Sequence, residues 1–570
     1  MKIKGLGTSR GIVIAKVFVI NDISSNILYN GKDAEKELAF YEKVLKKVCS
    51  KIQEIIDSID DKNQKQIFEA HLAIAKDPEA HEYIKNAILN QHKSAIYATN
   101  EYYSKIIKSF NQMDDEYFKE RANDIKDTLR RFIMYYENQN EVELDQINHD
   151  VIVIASNLRP SQTVKLNTEF VKGFATEFGS YTSHSVILAK NMNIPCVVNC
   201  KDLVNKVQTG DLVILDGNSG TVIINPDEKD LKKYKTLRDD YSNYLNELNK
   251  FKELPSITQD NYKIEILANI NSCHDAKVAY ECGAEGIGLF RTEFLYLDND
   301  HWPTEQEQFN VYKKILQMSK SKTVIIRTLD IGGDKLLNYY NFDTELNTFL
   351  GVRAIRFCLS EKHQDIFKTQ LRALIKASKY GNLSIMFPMI TTIEEFLKAK
   401  HIFIETYNEV KKEDDDIKSL NEIKVGMMIE TPAAAILADK FCKYADFVSI
   451  GSNDLIQYTM AADRMNQNLS YLYQPLNPSI LRMIKSIIDG AHKNNKPVGI
   501  CGEIAGNRQL VPLLIGLGID ELSMNNSCVL KIREQLSKLN QKDLQKLAKK
   551  AIKMEDETQV KKLLLKWNIK

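Results

Sequence analysis

The stretch Ile264-Glu265-Ile266-Leu267-Ala268-Asn269-Ile270, followed after a helical interval by Gly286-Ile287-Gly288-Leu289-Phe290, sets the reading of the C-terminal half. Each is a short apolar run suited to a buried strand, and each gives way to apolar residues at helical spacing. The pattern recurs at Val324–Thr328, Ser384–Met389, Val425–Ile429, Phe447–Ile450, Val498–Cys501 and Glu521–Met524. Eight strand-like segments alternating with helices over about 300 residues predict a (β/α)8 barrel, with a doubly wound open sheet as the alternative.

In a barrel the residues just past each strand's carboxyl end converge on one mouth. Those positions hold Arg291 after the second strand, Arg327 ending the third, Glu430 after the fifth, Asn453 and Asp454 after the sixth, and Cys501 with Glu503 after the seventh. Arg353 and Arg464 fall in connecting loops. A few carboxylates among several arginines suit a hard divalent cation and a compact polyanion, because magnesium keeps few carboxylate ligands and shares phosphate oxygens with its substrate. The expectation is Mg2+ with a phosphorylated or carboxylated small molecule; for any one of these residues a surface ion pair is the alternative. Gly332-Gly333, within Asp330-Ile331-Gly332-Gly333-Asp334-Lys335, offers either backbone N–H groups to a phosphate or a plain turn. Cys501 is either an inert core thiol or a proton donor.

Upstream, Ile12–Ile20 reads as a first strand rather than a signal peptide, since Lys16 interrupts it and Arg10 precedes it. Residues 32–137 carry helical stripes, Leu38, Tyr41, Leu45 and Val48 in one and Ile67, His71, Ile74 and Ala75 in another, with Asp77-Pro78 opening a new helix. At Val151-Ile152-Val153-Ile154-Ala155 the pattern becomes strand-like and stays mixed to about Asn225, so the helices form an insertion in a strand-bearing domain. Residues 226–252 are polar and charged with a stripe through Leu231, Tyr234, Leu237, Tyr241 and Leu245, as in an exposed connecting helix that ends before Pro255.

A second candidate site is Gly179-Ser180-Tyr181-Thr182-Ser183-His184-Ser185-Val186-Ile187-Leu188-Ala189. Thr182 or Ser183 is a good N-cap, and Val186–Ala189 continues as helix, so His184 stands in the first turn. The positive end of a helix disfavours imidazolium, which keeps the ring a neutral nucleophile, and its N–H groups would stabilise an attached phosphoryl group. A hydrogen-bonded structural histidine is the alternative.

Composition narrows the classes. The 570 residues carry 77 Lys plus Arg against 76 Asp plus Glu, a net charge of +1, so no long-range field favours nucleic acid. Hydrophobic residues are 44% and charged residues 27%, which argues for a folded multidomain protein and against disorder. Nine cysteines form no CxxC pair, which argues against a disulfide framework or a structural zinc site. No apolar run approaches the ~18 residues of a membrane span, and the cytoplasm is the expected compartment.

Five motifs then occur in register: Gly179–Ala189, Gly288-Leu289-Phe290-Arg291-Thr292-Glu293-Phe294, Asp330–Lys335, Met428-Ile429-Glu430-Thr431-Pro432-Ala433-Ala434, and Gly451-Ser452-Asn453-Asp454-Leu455. In this order, and from Gly5-Leu6-Gly7-Thr8-Ser9-Arg10-Gly11 to Leu522-Ser523-Met524, the chain resembles the Enzyme I family of the bacterial sugar phosphotransferase system. The resemblance implies a phosphohistidine α/β swivelling domain (1–20 and 148–225), an inserted helical domain that binds the carrier protein HPr (21–147), a linker helix (226–255), and a phosphoenolpyruvate-binding and dimerising (β/α)8 barrel (256–570). It implies transfer of the phosphoryl group from phosphoenolpyruvate to His184 and then to HPr, with a domain movement that brings the two sites together. By motif, Arg291 and Arg327 are its phosphate-holding arginines, Glu430 and Asp454 its Mg2+ ligands, Asn453 and Arg464 further substrate contacts, and Cys501 the proton donor to the methylene carbon. Arg353 would complete the anion pocket, and Leu72, Ile74 and Asp77 would face HPr. Ser180 and Tyr181 depart from the family's glycine and basic residue before Thr-Ser-His, Thr348 stands for a proline, and Asn525-Asn526 replaces a small pair; these bear on rate and affinity. A truncated dikinase-like enzyme would need a nucleotide-binding domain for which the length leaves no room. A non-catalytic phosphorelay scaffold is the remaining alternative.

Overall fold

A computed structural model describes residues 1–20, 33–58, 62–111, 116–136, 147–156, 158, 169–179, 186, 189, 194–297, 299–333, 335, 337, 339–343, 345–464 and 466–567. The chain divides into two compact units, Met1–Tyr244 and Leu245–Lys570.

The first unit contains strands β1 (Lys2–Lys4), β2 (Leu6–Ser9), β3 (Ile12–Ile20), β4 (Val151–Ala155), β5 (Val171–Thr176), β6 (Cys196–Val198), β7 (Leu212–Asp216) and β8 (Thr221–Ile224). They form one sheet in the order β1-β8-β7-β3-β4-β5-β6-β2, parallel from β3 to β6 and antiparallel toward both edges. A sheet covered on both faces needs apolar residues at every position of its central strands. On β4, Ile152 and Ile154 join one core while Val151, Val153 and Ala155 join the other, which explains its unbroken apolar run.

Between β3 and β4 lie helices α1 (Ala34–Ser58), α2 (Lys62–Ala75), α3 (Pro78–Leu89), α4 (Ala95–Asn111) and α5 (Glu116–Tyr136), with a core of their own that includes Tyr41, Val48, Phe68, Ile84 and Phe132. Asp77 caps α3 by accepting from the Glu79 N–H at 3.0 Å, and Pro78 occupies the first helical position, where a missing N–H is harmless. The helix Glu228–Asn249 packs Leu231 and Tyr234 on Ile214 and Ile223 of the sheet. One turn on, Leu237 is 41% exposed, so the expected stripe is buried only where the sheet covers it.

In the second unit, β9 (Glu265–Ile270), β10 (Ile287–Arg291), β11 (Thr323–Arg327), β12 (Asn382–Phe387), β13 (Lys424–Ile429), β14 (Val448–Gly451), β15 (Val498–Cys501) and β16 (Glu521–Met524) close into a parallel barrel, β16 pairing with β9. The open-sheet alternative is thereby set aside. Successive side chains on a strand alternate faces. Leu289, Ile325, Met386, Met428 and Cys501 meet inside, while Phe290, Ile326, Phe387, Ile429 and Ile500 join the shell between strands and helices. On the barrel floor, Glu521 buries Oε1 without a hydrogen-bond partner, against Gly288 and Gly499, where a Cβ would stand 2.7 and 2.9 Å from that oxygen. Outside the barrel, Arg533 is 2% exposed and donates to the carbonyls of Phe251 (3.2 Å), Lys252 (2.7 Å) and Gly283 (2.6 Å) and to Ser256 Oγ (3.0 Å). It fastens the chain's entry into the barrel to the helix Asn526–Leu536. No helix among the described residues is long and apolar enough to cross a membrane.

Candidate active site

The strand alternation decides which side chains reach the barrel mouth. Leu289, Ile325 and Met428 point inward, so Arg291, Arg327 and Glu430, each two residues on, point inward as well, at the carboxyl ends of β10, β11 and β13. Arg291 and Arg327 are register partners on neighbouring strands, as are Gly451 and Cys501. Asn453 and Asp454 follow β14 in the first turn of the helix Ser452–Met460.

Arg327 is 5% exposed, and the ion pairs there are buried rather than superficial. Its Nη2 donates to Glu293 Oε1 at 2.6 Å and lies 2.9 Å from Asp330 Oδ2. Lys335 Nζ reaches the same two oxygens, at 2.9 and 2.7 Å. Two cations thus share two carboxylate oxygens. Asp330 Oδ1 accepts from Arg353 Nη2 at 3.0 Å, and Arg353 Nη1 donates to Asp454 Oδ1 at 3.3 Å and to the Tyr458 hydroxyl at 3.2 Å. Arg464 Nη1 stands 3.9 Å from Asp454 Oδ2. A ladder of alternating charge therefore runs from Lys335 and Arg327 through Asp330 and Arg353 to Asp454. Burial alone would raise the Asp330 carboxyl, but Lys335, Arg327 and Arg353 hold it well below the usual range. Burial likewise works against charge on Arg327, and Glu293 and Asp330 more than offset it. Glu293, Asp330 and Lys335 had no role in the sequence reading; their motif membership was the signal. Nε of Arg327 and Nε of Arg353 are buried without partners.

Glu430 is 1% exposed, and its Oε1 accepts from the Met389 N–H at 2.5 Å. Met389 adopts φ 53°, a left-handed conformation unusual for a side chain of this kind, and so aims that N–H at the carboxylate. Burial first, and the Asp454 and Asp330 carboxylates next, push the Glu430 carboxyl up to about 8. At Gly451 a Cβ would fall 2.7 Å from Glu430 Oε2, so glycine there is what admits the carboxylate. Gly332 does not offer its N–H to a ligand: that group donates to the Lys335 carbonyl at 3.0 Å in a turn, and a Cβ there would lie 2.8 Å from Arg353 Cβ. Its absence leaves room for Arg353.

Cys501 is 3% exposed, and its thiol donates to the Ile450 carbonyl at 3.5 Å. Burial pushes the thiol up to about 11, so it holds its proton at neutral pH. Ser452 Oγ donates to the Cys501 carbonyl at 2.7 Å and fixes the loop that follows.

The barrel thus brings together Arg291, Arg327, Arg353, Glu430, Asn453, Asp454, Arg464 and Cys501. His184 lies outside the described residues, as do Ser180 and Tyr181. Of its neighbours, Val186 and Ala189 are helical and fully buried beside the sheet of the first unit. Leu72 and Ile74 are half-buried against the helical core, and Asp77 is engaged as the cap of α3.

Family models match three segments: PEP-utilising enzyme, N-terminal, at residues 4–121; PEP-utilising enzyme, mobile domain, at 147–220; and PEP-utilising enzyme, PEP-binding domain, at 245–541. A phosphoenolpyruvate-protein phosphotransferase of Mycoplasma capricolum is 47% identical over 570 residues, covering 99% of this chain and 98% of its own. Proteins of the same name from Priestia megaterium and Bacillus subtilis are 45% identical, over 95% of both chains, and 44% identical, over 97% of both. With the closed barrel and its charged mouth, these matches along nearly the whole length place the chain in the phosphoenolpyruvate-protein phosphotransferase family, Enzyme I.

Proposed function

We propose that the protein transfers the phosphoryl group of phosphoenolpyruvate to His184 and from there to a histidine of the carrier HPr. The observation that carries this reading is the convergence of Arg291, Arg327, Glu430 and Cys501 on one mouth, beside Asn453, Asp454 and Arg464. Phosphoryl transfer needs alignment and dispersal of negative charge more than covalent help. Arg291 and Arg327 supply fixed positive charge for the phosphate, and the unpartnered Nε of Arg327 is a donor in reserve for an anionic oxygen.

Glu430 and Asp454 fit a magnesium ion. They are hard oxygen donors, and the upward push on Glu430 from its acidic neighbours is what a cation between them would relieve. Among the described residues no group of three or more His, Cys, Asp and Glu is arranged to hold a metal ion by itself, and magnesium typically needs only one or two carboxylates beside substrate phosphate. Bound there, the ion would neutralise charge on phosphate and enolate oxygens. As the P–O bond breaks toward the enolate oxygen, the methylene carbon takes the proton of Cys501, giving pyruvate; the thiolate regains a proton from water. A neutral His184 accepts the phosphoryl group on a ring nitrogen, which requires the two units to approach.

The domain roles follow: residues 1–20 and 148–225 carry the phosphohistidine, 21–147 dock HPr, 226–255 link, and 256–570 bind phosphoenolpyruvate and dimerise. Exposed Leu346, Leu350 and Val352 after β11, with Ile436 and Leu437 after β13, support a self-association surface on the barrel.

The test is intact mass after incubation with phosphoenolpyruvate and Mg2+, with His184→Ala and metal-free controls. One acid-labile phosphoryl group, absent from both controls and discharged by HPr, is expected. A folded sample that gains none would leave the scaffold reading in its place.

A further inference from the structure

We propose that Tyr473 is a positioning residue, which fixes the side-chain amide of Asn453 so that its Nδ2 N–H groups face an anionic oxygen of the substrate. The inference rests on the phosphoenolpyruvate reading above. Asn453 Oδ1 accepts from the Tyr473 hydroxyl at 3.2 Å and from the backbone N–H of Glu503 at 3.5 Å. A backbone N–H can only donate, so the oxygen end of the amide must face it, and this settles which way the amide is turned. Tyr473 then has to be the donor in its own bond. Burial, with Glu503 next, pushes its phenol up to about 12, so it keeps the proton that this role requires.

The loop leaving β15 is shaped to close on the same amide. Gly502 has φ 102°, and a Cβ there would stand 3.1 Å from Asn453 Oδ1 and 2.3 Å from Ser452 Oγ. With both donors on Oδ1, the Nδ2 group makes no hydrogen bond to any described residue. Two N–H donors beside Asp454 and Arg464 are therefore left for a ligand, and an anion is the ligand they suit. An amide free to rotate would spend part of its time presenting oxygen, which repels that anion. Tyr473 touches no reacting atom in this account; it acts through Asn453.

The test is a double-mutant cycle in the full chain, with Tyr473→Phe and Asn453→Ala made singly and together and pyruvate release read as KM and kcat for phosphoenolpyruvate. Tyr473→Phe should raise KM about three- to tenfold with kcat within about twofold, the scale of one hydrogen bond. In the Asn453→Ala background the same change should have no further effect. A purely structural tyrosine would act equally in both backgrounds, so effects that multiply overturn the proposal, and so does an unchanged KM in either single variant. Wild-type turnover without coupling removes this inference alone. Failure of the wild type to turn over phosphoenolpyruvate removes the phosphotransferase reading and this one with it.

Discussion

Replacing Glu521 by Gln should make the barrel more stable at neutral pH and remove part of its pH dependence. The buried carboxyl has one oxygen without a partner and lies near Glu265 and Asp520, so burial first and like charge second push it from 4.5 to about 8. A carboxyl raised in the folded state contributes its full stability below pH 4.5 and loses it as pH climbs to about 8. Each unit across that window removes about 1.4 kcal/mol, so about 3 kcal/mol is gone by pH 7. Glutamine keeps the shape and carries no charge. At about 2 °C per kcal/mol for a unit of this size, the variant should melt about 6 °C above the wild type near neutrality and converge with it near pH 4.5. Both tryptophans, Trp302 and Trp567, belong to the second unit, so their fluorescence follows the barrel in the intact chain. A difference in melting temperature that stays constant from pH 4.5 to 8 would show that the carboxyl titrates as an ordinary solvated group, and the argument would fall.

Three further outcomes are expected. Asp330→Asn leaves Arg327, Lys335 and Arg353 without their shared anion and should destabilise the barrel by about 3–5 kcal/mol, as breaking a buried pair does. Thermal melts with inorganic phosphate should show a larger stabilisation of that variant than of the wild type, and an equal shift would deny the charge-balance account. Gly451→Ala drives a methyl group toward Glu430 Oε2, so metal-dependent binding of phosphoenolpyruvate, followed by calorimetry, should weaken at least about tenfold, and binding at wild-type strength would deny that the glycine admits the carboxylate. Cys501→Ser replaces the proton donor with a much weaker acid and should slow pyruvate release by about 10²–10⁴. In the wild type this proton is kept through neutral pH and lost only as pH rises through about 11, so a rate profile governed by Cys501 stays level below that limit.

What could be read ahead of the structure follows from periodicity. Strand alternation is local, so Leu289 and Arg291, or Met428 and Glu430, reveal their common face from spacing alone. The eight strand-like segments and the polar residues at their ends were legible for that reason. The ladder through Glu293, Asp330, Lys335 and Arg353 was not. Glu293 opens the short helix after β10, while Asp330, Lys335 and Arg353 lie in one irregular segment after β11, and the hydrogen bonds that pair them depend on turns such as Gly332–Lys335 that have no period. The pairing of Tyr473 with Asn453 joins positions separated by an irregular segment, and the same limit applies. Leu237 shows the converse, a regular stripe whose burial depends on how far the neighbouring sheet extends.

Arg533 has a consequence for anyone recombining the two halves of such proteins. Its guanidinium reads carbonyls of Phe251 and Lys252, which lie in sequence just after the connecting helix, and so those residues belong to the barrel in every sense but their position in the chain. A chimaera spliced upstream of Phe251 keeps the acceptors with their donor. One spliced at Ser256, where the resemblance starts the barrel domain, would import foreign backbone at the clamp and leave the placement of two of the carbonyls around a buried cation to a sequence that did not fold with it.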